Sequence, residues 1–253
     1  MESIDLERVA QAAEGAADRA RAEILPRFRR VSVEHKSDGS PVTEADRAAE
    51  RAIREHLRSC FPEFGLLGEE YGGDGSIEGP HWIIDPIDGT IGFSRGIALF
   101  STLISLAIDG EPVMGLIDLP GLGERYVGWK GGGCRRNGVP TQVAQTSDLR
   151  KAIISHGDPY SFDAFDQRPA FERMAREIPM LRGYTDAFGH GQVLAGGVGA
   201  MVDLSLNLWD VAATQVLVPE AGGQCVTLPE HRGKTGLVFG SPPLVEQLCA
   251  FLS

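Results

Sequence analysis

Residues 82–90 read Trp-Ile-Ile-Asp-Pro-Ile-Asp-Gly-Thr, and this stretch decides how the rest of the chain is interpreted. Its apolar start has the pattern of the end of a buried strand. Asp85 precedes a proline and is therefore biased toward an extended backbone, and Pro86 then turns the chain sharply. We expect Asp85 and Asp88 to be held on one rigid bend at the strand end, where Gly89 lets a ligand approach closely. Since carboxylate oxygens are the hard ligands that Mg²⁺ prefers, the stretch indicates a site for metal and phosphate.

Asp, Pro and Gly are also common turn residues, so this stretch alone could be no more than a turn. Two further segments favour the metal site. An apolar run ends in Glu69 and Glu70, and Asp210 opens an Ala-rich helix. Each acid also has a plain explanation, because Glu69 and Glu70 could be solvated loop charges and Asp210 could simply favour a helix N-terminus. Three acid-bearing junctions beside apolar segments are nevertheless what a multi-carboxylate site requires.

Five segments together resemble the inositol monophosphatase superfamily, over nearly the whole chain. The resemblance implies a Mg²⁺-dependent, lithium-sensitive phosphomonoesterase that forms a homodimer. It also implies an α/β sandwich, α+β in its layering, in which layers of helices alternate with two β-sheets. The segments are P-V-T-E-A-D (41–46), G-E-E (68–70), W-I-I-D-P-I-D-G-T (82–90), W-D-V-A-A (209–213) and E-A-G-G (220–223).

The resemblance also implies a set of metal ligands for two to three Mg²⁺ ions. Glu69, Asp85 and the Ile87 carbonyl would hold the first ion. Asp85, Asp88 and Asp210 would hold the second, with Asp85 bridging, and Glu69 would take part in a weaker third site. A two-cation site of this kind activates water and supports the leaving oxygen of a phosphate ester.

Catalytic and phosphate-binding roles follow from the same resemblance. The Thr90 hydroxyl, oriented by Asp46, would position or deprotonate the attacking water, with Glu69 also counted among the catalytic residues. Backbone amides of Gly89 and Thr90 would bind the phosphate. Asp46 could instead be only a helix-capping acid. Lys36 lies in a polar loop that closes near the metals in the family, although an exposed loop lysine is an equal alternative.

Substrate choice depends on acids near Asp210. Asp186 and Asp203, with Asp88 and Asp210 as further substrate contacts, would make a pocket suited to a cationic amine. Inositol-selective relatives have a small uncharged residue at the position of Asp186. Histidinol phosphate carries an ammonium and an imidazole, which would partner both acids. Three segments also resemble the histidinol-phosphate phosphatase branch: S-T-L-I-S-L (101–106), P-V-M-G-L-I-D-L-P (112–120) and G-E-R-Y-V-G (123–128).

Several alternatives stay open. Either pocket acid could be paired internally, for instance with Arg182, and His190 fits a structural helix residue better than a catalyst. The favoured function is hydrolysis of L-histidinol phosphate in histidine synthesis. The second is a broad inositol-phosphate or sugar-phosphate phosphatase on the same metal site. The third is a non-catalytic regulatory protein, against which the complete set of acids and Thr90 argues.

Composition agrees with an enzyme acting on a small-molecule phosphate monoester. The chain has 253 residues, a formal net charge of −11 and no basic block, which argues against a nucleic-acid partner. Its four cysteines lack a C-x-x-C spacing and are expected to be reduced, and neither a signal peptide nor an 18-residue apolar run is evident. We therefore expect a cytoplasmic protein that does not enter a membrane. A polar stretch near 143–149 suggests two halves, 1–145 with most metal ligands and 146–253 with Asp210 and the selectivity residues.

Periodicity and turn signals predict the order of the secondary structure. The expected helices are 3–24, 43–58, 162–177, 188–198, 209–221 and 242–251. The expected strands are a short one at Val31 and Val33, then 100–108, 112–118, 125–129, 152–155, 180–184, 201–203 and 237–239.

Overall fold

The structure is a computed structural model that describes residues 4–36, 39, 41–75 and 78–252. The helices in this part of the chain are α1 Leu6–Arg27, α2 Glu44–Cys60, α3 Thr90–Ser94, α4 Pro159–Ala164, α5 Arg168–Glu177, α6 Asp186–Leu194, α7 Leu208–Glu220 and α8 Pro242–Cys249. The first ten strands are β1 Glu34–His35, β2 Pro41–Val42, β3 Gly65–Gly68, β4 Gly72–Asp74, β5 His81–Asp88, β6 Ser101–Ile108, β7 Glu111–Leu119, β8 Glu124–Trp129, β9 Gly133–Arg136 and β10 Val139–Pro140. The last five are β11 Ile154–His156, β12 Leu181–Arg182, β13 Ala200–Leu206, β14 Gln224–His231 and β15 Lys234–Gly240.

The two N-terminal helices form because their apolar positions recur at helical spacing and their first turns are capped. Asp5 accepts hydrogen bonds from the amides of Glu7 and Arg8, and Thr43 forms a capping box with Asp46 at the start of α2. The buried face of α1 consists largely of alanines, which lets α2 pack closely against it. Among the described helices, none combines the length and the apolar character needed to cross a bilayer.

An eight-stranded sheet lies beneath these helices, in the order β10-β9-β8-β7-β6-β5-β3-β4. Its central strand β5 is buried on both faces. Trp82 and Ile84 pack toward α1 and α2, whereas Ile83 packs with Ala212 of α7 on the opposite face. The continuous apolar run of β5 is therefore explained by helices above and below it.

A five-stranded sheet follows, in the order β12-β11-β13-β15-β14. One apolar cluster joins the two sheets through α6 and α7, and another joins the second sheet to α4, α5 and α8. The layers therefore run helices, sheet, helices, sheet, helices, which confirms the predicted layered α/β fold. The proposed division at 145/146 stays a prediction.

Several element boundaries differ from the sequence-based expectations. Val31 and Val33 do not form a strand, because strand pairing among the described residues of this region begins at Glu34 and joins Glu34 and His35 to the two residues of β2. The helix expected over 162–177 is two helices, since Asp166 has φ 56° and a proline opens α5. The helix expected over 188–198 is α6, which ends before Gly196 (φ 75°).

Other differences concern strands and residues outside the described ranges. β14 is not among the expected strands, because its sequence is interrupted by Pro229, a residue that argues against a strand. The strand expected over 180–184 shortens to β12. The first residue of the helix expected over 3–24 and three residues of the Lys36 loop (37, 38 and 40) lie outside the described residues.

Candidate active site

A β-bulge, rather than a turn after the strand, brings Asp85 and Asp88 to the same face of β5. The pairing with β6 matches Asp85 to Leu103 and Asp88 to Ser101, so β5 contains one extra residue between the two acids. Residues three apart on a regular strand point to opposite faces, and the extra residue reverses that. The expectation that both acids share one rigid bend is correct in outcome, but the expected turn after residue 84 is wrong because β5 continues to Asp88.

Asp210 joins these acids from the first turn of α7. Its Oδ2 accepts hydrogen bonds from the backbone amide of Asn207 at 2.7 Å and the side-chain amide of Asn207 at 3.2 Å, while Lys234 donates to the Asn207 side-chain oxygen. Carboxylate oxygens of Asp85, Asp88 and Asp210 all lie within 4.8 Å of one another. The structure thus brings together acids that are 125 positions apart in the sequence.

Glu69 reaches the same region because β3 runs parallel to β5. The Glu69 amide donates to the Ile84 carbonyl at 3.1 Å, which places Glu69 beside Asp85 at the carboxyl ends of the two strands. Its carboxylate is not part of the three-acid group. Lys36 Nζ instead lies 2.8 Å from Glu69 Oε1 and 2.7 Å from Glu70 Oε1.

These ion pairs exclude two of the alternatives left open by the sequence, a solvated Glu70 and an exposed Lys36. The Glu70 side chain is only 5% exposed and the Lys36 side chain 22%, so neither is a freely solvated loop charge. Burial raises the pKa of Glu70 to about 7 although Lys36 opposes this. Burial alone would lower the pKa of Lys36, but hydrogen bonds and attraction from the two glutamates raise it above its usual value.

Burial and mutual repulsion make the three-acid group costly to ionise without a cation. The pKa of Asp85 is raised well above its usual value by burial first and then by Glu69, Asp88 and Asp210. Burial and neighbouring acids likewise raise the pKa of Asp88, and that of Asp210 to about 6. Within the described residues, Asp85 Oδ1 is buried without a hydrogen-bond partner. An all-oxygen donor set with such an atom fits a hard divalent cation.

Asp46 lies next to Thr90, as the sequence analysis predicts. Thr90 Oγ1 is 3.2 Å from Asp46 Oδ1 and 2.9 Å from the Ile87 carbonyl oxygen. Asp46 also caps α2 by accepting from the Thr43 amide at 2.8 Å, which confirms the helix-capping interpretation, while its catalytic role stays a prediction. Gly89 precedes α3 with φ 82°, a conformation that few other residues adopt readily. Thr90 therefore begins α3 only two residues after Asp88, the end of β5.

A cavity of about 270 Å³ opens beside Asp88 and Asp210. Asp186 lies on its wall and accepts a hydrogen bond from the Thr185 hydroxyl at 3.0 Å, whereas Arg182 donates to the Leu181 carbonyl. Burial, partly opposed by Thr185, raises the pKa of Asp186. The lining residues are Asp88, Asp158, Tyr160, Ser161, Asp186, Ala187, His190, Asp203, Leu204, Ser205, Leu206 and Asp210.

The second pocket acid is paired inside the protein. Asp203 Oδ2 lies 3.1 Å from His190 Nε2, and His190 Nδ1 lies 2.6 Å from the Thr214 hydroxyl. His190 and Thr214 are both buried. The expected structural role of His190 thus agrees with its contacts, and Asp203 has one oxygen already committed.

Comparison with known proteins places the chain in a family. Residues 5–246 match the family model described as the inositol monophosphatase family. The chain belongs to the inositol monophosphatase family. Members of this family are metal-dependent phosphoric monoester hydrolases, so the chain is a phosphatase whose acidic cluster could bind metal.

Two similar proteins and one structure illustrate this membership. A histidinol-phosphatase from Chlorobaculum parvum is 37% identical over 213 residues, which cover 84% of this chain and 81% of that protein. An inositol monophosphatase from Dictyostelium discoideum is 31% identical over 269 residues, covering 100% and 97%. The structure of an inositol monophosphatase from Zymomonas mobilis matches with a TM-score of 0.86 and 30% identity, and covers 99% of each chain.

Sequence reasoning missed several residues of this phosphatase site. Asp88 Oδ2 accepts hydrogen bonds from the Ser101 hydroxyl at 3.0 Å and the Ala187 amide at 2.6 Å. Asp158 and Tyr160 line the outer part of the cavity at the start of α4. The Asp-Pro pair at 158–159 is a helix-start signal that would have revealed this segment. No local signal marks Ser101, because its role depends on the pairing of β5 with β6.

Proposed function

We propose that this phosphatase hydrolyses L-histidinol phosphate to L-histidinol and phosphate with Mg²⁺ as its cofactor. The observation that carries the proposal is the cavity beside the three-acid group, whose wall contributes Asp158, Asp186 and Asp203 and no lysine or arginine among the described residues. Such a wall complements a cationic leaving group and repels an anionic one. The histidinol-phosphatases among its relatives support the same substrate.

Asp85, Asp88, Asp210, Glu69 and the Ile87 carbonyl would hold two to three Mg²⁺ ions. When bound, Mg²⁺ supplies neutralisation of the phosphoryl charge and activation of water. The protein fixes the ligands in advance. The hydrogen bonds that Asp88 and Asp210 accept from the described residues all fall on Oδ2, which leaves Oδ1 of each for a ligand.

Thr90 and Asp46 would orient the attacking water. The Thr90 hydroxyl has one proton, which it can donate to Asp46 or to the Ile87 carbonyl, and its lone pairs then accept a hydrogen bond from water. Asp46 accepts hydrogen bonds from the Thr43 amide and hydroxyl, and these fix the orientation of its carboxylate. The amides of Gly89 and Thr90 would bind the phosphate at this end of β5.

The leaving group would occupy the cavity, with its amine near Asp186. This acid is the better partner because its described hydrogen bond comes from a neutral hydroxyl, whereas Asp203 is shared with His190. A charged hydrogen bond to the amine is worth roughly tenfold to a hundredfold in binding. Asp203 would use its remaining oxygen for the amine or a hydroxyl.

A phosphate-release assay with Mg²⁺ tests the substrate. The panel contains histidinol phosphate, inositol-1-phosphate and adenosine 3′,5′-bisphosphate, and we expect kcat/KM to be roughly tenfold or more higher for the first. Asp186→Asn should lower that value about tenfold while changing inositol-1-phosphate turnover by less than about twofold. The control Asp163→Asn alters a half-buried acid of α4 that is paired with Arg168 outside the cavity and should change neither. Equal losses on both substrates in Asp186→Asn would remove the amine argument.

Inositol or sugar phosphates form the second candidate substrate class. The His190–Asp203 pair offers hydrogen bonding suited to a hydroxyl, and the solved relatives include inositol monophosphatases. A preference for inositol-1-phosphate over histidinol phosphate in the same panel would support this class instead.

We further propose a cytoplasmic homodimer that is inhibited by lithium, with halves 1–145 and 146–253. None of the four cysteines, which all lie in the described residues, forms a disulfide, and this agrees with a reducing compartment. Glu69, Asp85 and Asp88 come from the first half, and Asp186 and Asp210 from the second. The dimer and the lithium effect rest on the family resemblance and are tested by sedimentation and by Li⁺ titration of turnover.

A further inference from the structure

Glu50 of α2 lies outside the three-acid group, yet it contacts the segment that carries Glu69. Its side chain is fully buried. Glu50 Oε2 accepts a hydrogen bond from the Glu70 amide at 2.8 Å, and Oε1 accepts from the Tyr71 amide at 3.3 Å. Arg54 Nε, one helical turn further along α2, donates to Oε1 at 2.7 Å. One buried carboxylate therefore satisfies two backbone amides and a guanidinium.

The same carboxylate also touches the chain before Glu69. A Cβ atom at Gly68 would overlap Glu50 Oε1 and lie 2.9 Å from Arg54 Nη2, so only a glycine leaves room for this pair. Arg54 also donates to the Gly72 carbonyl. The Glu50–Arg54 pair thus contacts the backbone between Gly68 and Gly72 on both sides of Glu69.

Strand pairing holds only the two ends of this segment, because Gly68 pairs with Gly72 in the β3–β4 hairpin. The parallel register of β3 with β5 ends at Gly68, and the amide of Glu69 makes the last hydrogen bond to β5. The turn that follows leads directly into β4 at Gly72. Between these paired ends, the amides of Glu70 and Tyr71 donate to Glu50, so the conformation of the turn that carries Glu69 depends also on α2.

We propose that Glu50 is a positioning residue for the metal site, fixing the turn that presents Glu69. The inference rests on the proposed function, in which Glu69 is a Mg²⁺ ligand. Buried groups that orient a metal ligand change metal affinity by roughly tenfold to a hundredfold when removed. Glu50 acts through the backbone and need not contact the ion.

Glu50→Gln tests the inference. A glutamine has the same size, but the two amides bond to different oxygens of Glu50, so in glutamine one of these positions becomes an NH₂ group that faces a donor. We expect Mg²⁺ binding to the full chain, measured by isothermal titration calorimetry without substrate, to weaken about tenfold. Thermal melting in EDTA, measured alongside, reports the accompanying loss of stability.

Asp118→Asn is the matched control. Asp118 is also a fully buried carboxylate, held by Arg21 at 2.6 Å and Arg125 at 2.7 Å on the side of β7 that faces α1. Its loss should lower the melting temperature, as Glu50→Gln should, but leave Mg²⁺ affinity within about twofold, because its arginine partners are not on the Glu69 segment. Equal weakening of Mg²⁺ binding in both variants would overturn the inference, since general loosening would then explain it.

Gly68→Ala provides a second route to the same contact. The added methyl group displaces the Glu50 carboxylate without changing any charge, and we expect a comparable loss of Mg²⁺ affinity. This variant decides the matter should Glu50→Gln not fold. If the wild-type protein binds Mg²⁺ and the variants bind it equally well, the positioning role of Glu50 is refuted while the proposed function stands. Wild-type protein that binds no Mg²⁺ would instead refute the proposed function.

Discussion

Asp210→Asn should make the metal-free protein more stable while removing a proposed metal ligand. Asp210 is buried among other acids, and its pKa is raised from 3.8 to about 6 by burial and by repulsion from Glu69 and Asp203, against the opposing hydrogen bonds from Asn207. At neutral pH the folded protein must therefore hold a carboxylate that would ionise more easily in the unfolded chain. An asparagine of the same shape removes that cost.

The size of the effect follows from the raised pKa. A rise from 3.8 to about 6 corresponds to an unfavourable contribution on the order of 3 kcal/mol at pH 7.5. The asparagine oxygen can still accept a hydrogen bond from the Asn207 backbone amide. Its hydrogen bonding with the Asn207 side chain is weaker, which costs about 1 kcal/mol. The net gain of about 2 kcal/mol should raise the melting temperature by roughly 6 °C for a chain of this length.

Differential scanning calorimetry in EDTA measures this gain, and its pH dependence identifies the cause. As pH rises from about 4 to 6, the unfolded chain gives up the Asp210 proton before the folded protein does, so the wild type loses stability across that window. The advantage of Asp210→Asn should therefore be complete at pH 7.5 and absent near pH 4. The exposed acid Asp109 is the control, since Asp109→Asn should leave the melting temperature unchanged.

In the presence of Mg²⁺ the wild type should have the higher melting temperature of the two proteins. At a hundred times its dissociation constant, a ligand that binds only the folded state stabilises it by about 2.7 kcal/mol, and Asp210→Asn should lose most of this gain. The reasoning would be refuted by a variant that melts below the wild type in EDTA at pH 7.5, or by one whose gain is the same at pH 4.

Three further outcomes are expected. Asp88→Asn should lower turnover by more than about 100-fold with an unchanged circular dichroism spectrum, because it removes a proposed metal ligand itself and not a group that supports one. Near wild-type rates would refute the proposed site. Lys36→Met should lower the free energy of unfolding of the metal-free protein, measured with denaturant, by about 1 kcal/mol at pH 8 and by less at pH 6. The loss is smaller at pH 6 because Glu70, with a pKa of about 7, is then largely protonated and interacts less strongly with Lys36. A loss that does not depend on pH would contradict this. Gly115→Ala should lower the free energy of unfolding by about 2–3 kcal/mol, because the added Cβ would lie 2.6 Å from the Ala213 carbonyl oxygen in α7. In the control Gly79→Ala the added Cβ meets no atom within 4 Å, so stability should not change measurably.

Sequence patterns identified the acids of the site better than the way in which they are assembled. Asp85 and Asp88 were predicted to share a bend, but a turn after residue 84 would have ended β5 too early. The observed bulge depends on how many residues β6 supplies between Leu103 and Ser101. A register of this kind belongs to two strands at once and cannot be read from either alone.

The support around the acids was equally hidden in the sequence. Glu50 and Arg54 are four residues apart, a spacing that normally indicates a surface pair on a helix. Here both are buried against the turn that carries Glu69, because β3 ends beneath α2. Thr43 and Asp46 were recognised because a capping box is a local pattern, and local patterns survive without tertiary information.

Among the described residues only neutral donors hold Asp88 and Asp210, whereas Glu69 is paired with Lys36, so the repulsion within the three-acid group is left for a cation to relieve. A bulge places Asp85 and Asp88, a capping box places Asp210, and backbone amides or hydroxyls hold Oδ2 of Asp88 and Asp210. Had lysines or arginines held these carboxylates, their charge would already be satisfied and a metal would have to displace them. Because the donors are neutral, the acids keep their charge uncompensated at the cost of stability in the metal-free protein. A divalent cation removes that cost when it binds, so the same arrangement that weakens the empty fold strengthens the affinity for metal.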